Sequence, residues 1–239
     1  MKGNVCICLV VFLLALLFVS CNDARKQTLD RLVATESNDA DGGVSDARIE
    51  ELKEGIRKFS AEVESHVKAA DNLGQYYKML GMAYMEREMY ELAFDAFVEA
   101  LEIKPTDPYL LTQAAIAKGW SAKYAVDGRL RNEYLQIAER YYQKALQADP
   151  GYEEALYGVS VLYIYELEQP LEAESYLKRL LEDESRHVEA MFLLARVYVV
   201  KGEYRKAVDL YRKIEEISKV EEKVQAAREN RRMVEGYLR

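Results

Sequence analysis

The chain has 239 residues, half of them hydrophobic, with only 4 prolines and 12 glycines, a composition that favours long helices in one elongated domain plus processing segments. Its formal net charge is -8 and no basic patch interleaves with aromatic residues, so a nucleic-acid partner has no electrostatic footprint here. All three cysteines, Cys6, Cys8 and Cys21, lie at the amino end, which excludes a disulfide framework or a cysteine-rich metal site in the body.

Residues 1–20 read as a secretory signal: Lys2 supplies the positive start, and Val5 to Val19 is an uncharged apolar run of about fifteen residues, short of the roughly twenty that a membrane span needs. The run ends Phe18-Val19-Ser20-Cys21, which resembles a bacterial lipobox. That resemblance implies cleavage before Cys21 and lipidation of its thiol. Phe18 stands where a lipobox carries leucine, and an uncleaved single anchor is the alternative. Either version tethers the body to a membrane outside the cytoplasm. Residues 21–45 turn polar and small, as in Ser37-Asn38-Asp39 and Asp41-Gly42-Gly43, and read as a flexible leash with a reach of about 27 Å.

From Ser45 or Asp46, either of which can cap a helix, Ile49, Leu52, Ile56, Phe59, Val63 and Val67 recur three and four residues apart. The stripe predicts an amino-terminal capping helix over 46–73, placed as the second helix of a degenerate unit. The next stretch, Gly74 to Pro105, organises the rest of the chain. Counting Gly74 as position 1, Tyr77, Leu80, Gly81, Tyr84, Ala93, Phe97, Ala100 and Pro105 fall at 4, 7, 8, 11, 20, 24, 27 and 32. Leu80, Gly81 and Tyr84 share one helix face and Ala93, Phe97 and Ala100 share another. Small Gly81 and Ala93 sit where two helices must approach closely, and Phe97 and Tyr84 fill the space beside them. Pro105 ends the unit because it has no amide donor.

This register resembles the tetratricopeptide repeat, a 34-residue helical hairpin. The resemblance implies an all-α, right-handed solenoid of about four hairpins between amino- and carboxy-terminal capping helices. One hairpin cannot bury its own apolar face, whereas several stacked ones can. Further copies follow at 108–152, 153–187 and 188–219. The second brings Ala138, Tyr142, Ala145 and Pro150 to positions 20, 24, 27 and 32 only after eleven extra residues, with Asp127-Gly128 as the expected turn between two lengthened helices. Trp120, the sole tryptophan, lies in this stretch with Tyr124, and the pair reads either as a docking knob or as packing against the neighbouring unit. In the third copy one extra residue, placed at Gln169-Pro170, brings Ala173, Leu177 and Leu180 into phase. The fourth carries Met191, Leu194, Ala195, Tyr198, Ala207, Tyr211 and Ile214 in register, and 220–239 reads as a charged capping helix.

The resemblance also implies that first helices line the concave face through positions 2, 5, 9 and 12. Those positions include Met82, Met85, Tyr109, Ile116, Tyr157, Val161, Ile164, Phe192, Arg196 and Val199, an apolar set in which only Lys78 matches the clamp that grips acidic chaperone tails. A large apolar face calls for a cover. Three covers are open: a partner protein in the cell envelope, a small apolar ligand as in the periplasmic lipoprotein component of a TRAP-type transporter, or a terminal helix of the chain itself. No catalytic chemistry is legible. His66 and His187 sit in different units, and no metal-ligand pair, phosphate loop, nucleophile elbow or cofactor motif appears. The expectation is a non-catalytic, membrane-anchored scaffold.

Overall fold

The computed structural model describes residues 46–238, and every regular element among them is helical. The expected signal segment over 1–20, Cys21, the leash over 21–45 and the Ser45 cap lie outside the described residues. The described residues fall in two units, 46–65 and 66–238.

In the first unit the described chain is the opening of one long helix, α1 (Asp46–Glu86). Ile49, Leu52, Ile56, Phe59 and Val63 are all exposed along it. Ion pairs one turn apart join Arg48 to Glu51, Lys53 to Glu50 and Arg57 to Glu54 at 2.9, 2.8 and 2.6 Å. Such exposed pairs add only a few tenths of a kcal/mol each, so the stripe lies bare beside a solvated polar face. The structure differs here from the expected capping helix over 46–73. A degenerate repeat would require a turn before Gly74, and α1 runs straight through it. The reason is local: Lys68, Ala69 and Ala70 are strong helix formers, no proline intervenes, and Gly74 is itself buried against Ile103.

The second unit takes the remainder of α1 and pairs it with α2 (Tyr90–Ile103). Then follow α3 (Pro108–Tyr124), α4 (Gly128–Ala148), α5 (Glu153–Val161), α6 (Ala173–Asp183), α7 (Val188–Val200), α8 (Tyr204–Ile217) and α9 (Glu221–Glu235). Each helix from α2 onward packs against the next. The starts are chemically marked. Asp107 caps α3, its carboxylate accepting from the Leu110 amide at 3.1 Å with Pro108 in the first turn, and Asp127 accepts from Arg129 at 2.9 Å to open α4.

The core is the interior of these hairpins. Ala93, Phe97 and Ala100 on α2, Ala138 and Ala145 on α4, and Leu177 and Leu180 on α6 are fully buried at the spacing that puts them on one helix face. Close approach makes two glycines obligatory. A Cβ on Gly81 would lie 2.6 Å from the Phe97 ring, and one on Gly158 would lie 2.6 Å from that of Tyr142. Large meets small across each crossing.

The third hairpin departs from the others inside its first helix. Residues Leu162–Glu166 continue α5 as a π turn, with the Leu167 amide donating to the Leu162 carbonyl at 3.0 Å. In the first and last hairpins the inter-helix turn closes over five residues: Met89 N–H donates to Tyr84 and Glu203 N–H to Tyr198, with left-handed Glu88 (φ 59°) and Gly202 (φ 74°) at position 15. Here Gln169 N–H donates to Tyr163 over six residues, and left-handed Glu168 (φ 56°) sits at position 16. Each left-handed residue precedes its unit's position-20 alanine, Ala93, Ala173 or Ala207, by the same five residues. The extra residue therefore lies within the first helix, before the turn, and not at Gln169-Pro170 as its sequence suggests.

Candidate functional site

The residues expected on the first-helix face separate into two clusters. At the junction of the first two hairpins the Tyr109 hydroxyl donates to the Met82 sulfur at 3.0 Å, and Lys78 Nζ lies 4.0 Å above the Tyr109 ring. Burial, followed by the nearby Asp107 charge, pushes the Tyr109 phenol above its ordinary value. Tyr109 thus closes over Met82. Met85, Ile116, Val161 and Val199 are half-buried and packed against the core.

The second cluster forms where the third and fourth hairpins meet. Tyr157 stacks on His187 at 5.3 Å, and Phe192 tilts against Tyr211 at 6.1 Å. His187 is held by the backbone, its Nδ1 accepting from the Ala190 amide at 3.2 Å to cap α7. Ile164, expected in the groove, is corrected by the π turn. It is only 5 % exposed and belongs to the core, while its neighbour Tyr165 is 50 % exposed. An extra residue in a helix rotates every later side chain by about 100°, which carries Tyr165 to the place Ile164 would hold. Tyr165 lies under Arg196, whose Cζ is 5.1 Å from the ring centroid. The face is accordingly less apolar than its sequence implies, because its aliphatic members turn inward and Tyr165 and Arg196 remain outside.

Trp120 and Tyr124 take a third position. Tyr90, at the start of α2, stacks on both of them at 5.6 and 5.7 Å, and Lys123 Nζ lies 4.6 Å from the Trp120 ring. Trp120 is 39 % and Tyr124 60 % exposed, so the pair is braced on the preceding hairpin and still presents an aromatic edge.

Two features went unread in the sequence. Lys118, at position 11 where the other hairpins carry Tyr84, Tyr163 and Tyr198, is 5 % exposed. It pairs with Glu91 at 2.6 Å, and its Nζ lies 4.4 Å from the Phe94 ring and 4.3 Å from that of Tyr134. Burial works against the Glu91 carboxylate, yet hydrogen bonds from Lys118, Ser121 and Tyr134 with the Lys118 charge hold it below its ordinary range. The departure from tyrosine at that one position was the available signal. The other is a carboxyl pair: burial, then a hydrogen bond to Glu184, raises Glu153, which also lies 3.5 Å from His187 Nε2.

Two clefts are present among the described residues, and the second shares His187 with the Tyr157 cluster. One of about 380 Å³ is lined by Leu101, Pro105, Leu111 and Tyr141, and another of about 310 Å³ by Glu153, Glu184, His187, Glu189 and Lys223. Beyond the second, α9 packs on α8, and its Lys223 reaches back to pair with Glu189 at position 2 of α7, one repeat length of 34 residues away. Among the described residues no group of three His, Cys, Asp or Glu side chains could hold a metal ion, and no helix is long and apolar enough to cross a membrane.

Comparison with known proteins agrees with this architecture. Tetratricopeptide-repeat family models match residues 69–107 and 165–230, and the chain carries such repeats. A "TPR repeat-containing protein" of Borreliella burgdorferi is 26% identical over 215 residues, covering 89% of this chain and 92% of that one. Among solved structures, MamA of Desulfovibrio magneticus RS-1 is 16% identical with a TM-score of 0.54, over 69% of this chain and 90% of that one. YrrB, described as a TPR protein with an unusual peptide-binding site, is 20% identical with a TM-score of 0.51, over 73% and 88%. Both show the fold: an all-α solenoid of tetratricopeptide type. Tetratricopeptide repeats, as matched by the family models, suggest a protein–protein interaction scaffold.

Proposed function

We propose that this chain is a non-catalytic scaffold, lipid-anchored through Cys21 to a bacterial cell membrane, that holds a protein partner on the periplasmic or cell-surface side. The observation that carries the reading is the cluster of Tyr157, Tyr165, Phe192 and Arg196, aromatic groups and a cation brought to one face by two successive first helices. Side chains of this kind dominate interface energetics because they bury much area at low entropy cost. The leash over 21–45 gives the body reach from the bilayer, and the lipid fixes its location. The half-buried positions of Met82, Met85, Ile116, Val161 and Val199 make them the floor of the face, with Tyr109 closing one end.

The test is cross-linking in the intact envelope. The native protein is expected to yield a discrete adduct, and Tyr157→Ala combined with Phe192→Ala is expected to abolish it while far-UV helicity stays unchanged. An adduct that persists in the double variant overturns the face as the partner site. In the same cells Cys21→Ala should move the body from the membrane fraction to the soluble fraction, and retention in the membrane would overturn the anchor.

A further inference from the structure

We infer that the π turn of the third hairpin builds a subsite in which Arg196, seated on Tyr165, receives a carboxylate of an extended partner segment, with a large apolar side chain of that segment lying against Tyr157 and Phe192. The inference rests on the first-helix face being the partner site. Its basis is a change of register confined to one hairpin. A plain α-helix would have left Ile164 on this face, giving Arg196 an aliphatic neighbour. The extra residue turns Ile164 into the core and sets Tyr165 outside, half exposed, directly beneath the guanidinium. A cation over an aromatic face is held in place by the ring quadrupole. At 5.1 Å from the ring centroid the guanidinium keeps N–H groups that the ring does not take, and the edges of a guanidinium have the geometry that takes a carboxylate bidentately.

Charge decides which chemistry fits. Lys223 is taken by Glu189, Lys201 by Glu174 at 2.5 Å and Arg231 by Glu215 at 2.7 Å. Arg196, like Lys78 over Tyr109 and Lys123 over Trp120, has among the described residues no carboxylate within ion-pair distance and lies against an aromatic ring instead. It is an exposed, preoriented cation on a chain whose net charge is -8. Its neighbours are aromatic. Burial raises the Tyr211 phenol while the adjacent Arg196 charge pulls it the other way, and Tyr165 acts on both Tyr157 and Tyr211, which places these four side chains near one another. A partner residue that satisfies this surface carries a carboxylate next to a bulky apolar group. A second copy of this chain and the chain's own amino-terminal segment are the rival occupants.

The experiment selects peptides from a randomised ten-residue phage-displayed library on the full-length protein. The expected result is enrichment of Asp or Glu adjacent to Leu, Phe or Tyr. A synthetic peptide of the selected sequence should bind Arg196→Gln roughly ten- to hundredfold more weakly, the range set by losing a hydrogen bond to a charged group. Tyr165→Ala should weaken it less, and Arg196→Lys should recover part of the loss. Both side chains are exposed, so circular dichroism of each variant should match the native protein. Selected peptides without carboxylates, or equal binding by Arg196→Gln, overturn the subsite and leave the partner-binding face standing. A library that yields no enrichment overturns both. Concentration-dependent dimerisation that Arg196→Gln abolishes would assign the subsite to a second copy and overturn the partner segment, as would peptide binding that appears only after residues 22–44 are removed, for the leash.

Discussion

The second and third hairpins both exceed the repeat length, and they absorb the excess in opposite ways. In the second, α3 has 17 residues against 13 in α7, and α4 has 21 against 14 in α8. Lengthening a helix by four residues turns its end through about 400°, and by seven through about 700°, each close to whole turns. The faces therefore survive, and Ala138, Tyr142 and Ala145 stay buried beyond the insertion. A single residue has no such solution, since it rotates everything after it by about 100°. The third hairpin confines that rotation to one π turn. The long insertion changes reach and the short one changes chemistry, because only the short one exchanges the side chain presented to solvent.

Two deletions would break this comparison most sharply. Removing Tyr165 restores the five-residue closure from position 11 and should keep the helical content, at a cost of about 1.5–3 kcal/mol because it returns Ile164 from the core to the exposed face. Removing Gln169 takes away the amide that closes the turn on Tyr163 and shifts fully buried Ala173, Leu177 and Leu180 out of phase. The expected loss is about 4 kcal/mol or more by urea unfolding, on the scale of losing one or two core leucines. If the Gln169 deletion proves the milder one, the extra residue has been placed in the wrong segment.

The second hairpin offers an intermediate test at Lys118. Glu91→Ala would leave an ammonium group nearly sealed among Phe94 and Tyr134, with only the ring faces to hold it. Its cost should be about 1–3 kcal/mol, reduced from that of a fully buried pair because Glu91 is itself half exposed. Lys118→Met keeps the packing and removes the charge, so it should cost less than Glu91→Ala. Chemical denaturation of the two variants compares them directly, and the reverse order would mean that packing, not charge, governs the site.

How legible all this was depends on whether a feature is periodic. The helices, the Gly81–Phe97 contact and the fully buried alanines follow from residue size at fixed spacing, and they could be read from Gly74 to Pro105 alone. The lengthened pair around Asp127 was legible because Asp and Gly mark turns whatever surrounds them. The position of the extra residue in the third hairpin was not. Pro170 is a conspicuous turn signal and drew the insertion toward itself, whereas a π turn has no composition of its own and is seen only in which carbonyl each amide reaches. Tyr165 was missed for the same reason. The continuous α1 was misread because repetition by 34 residues imposed a break where the local chemistry of Ala69 and Ala70 continues the helix.

The smallest effects concern the turn residues that fix the count. Glu88, Glu168 and Gly202 occupy the same left-handed conformation in three hairpins, and only Gly202 does so without a Cβ meeting the following carbonyl. Glu168→Gly should therefore stabilise the third hairpin by roughly 0.5–1 kcal/mol, and Glu88→Gly the first by a similar amount, less the small gain in unfolded-chain entropy that glycine brings. Gly202→Glu should cost the fourth about as much. Thermal unfolding of the three variants checks the equivalence. If Glu168→Gly alone destabilises while Glu88→Gly does not, the turn after the π segment is held by something other than the conformation it shares with its counterparts, and position 16 of the third hairpin is not the structural equal of position 15 elsewhere.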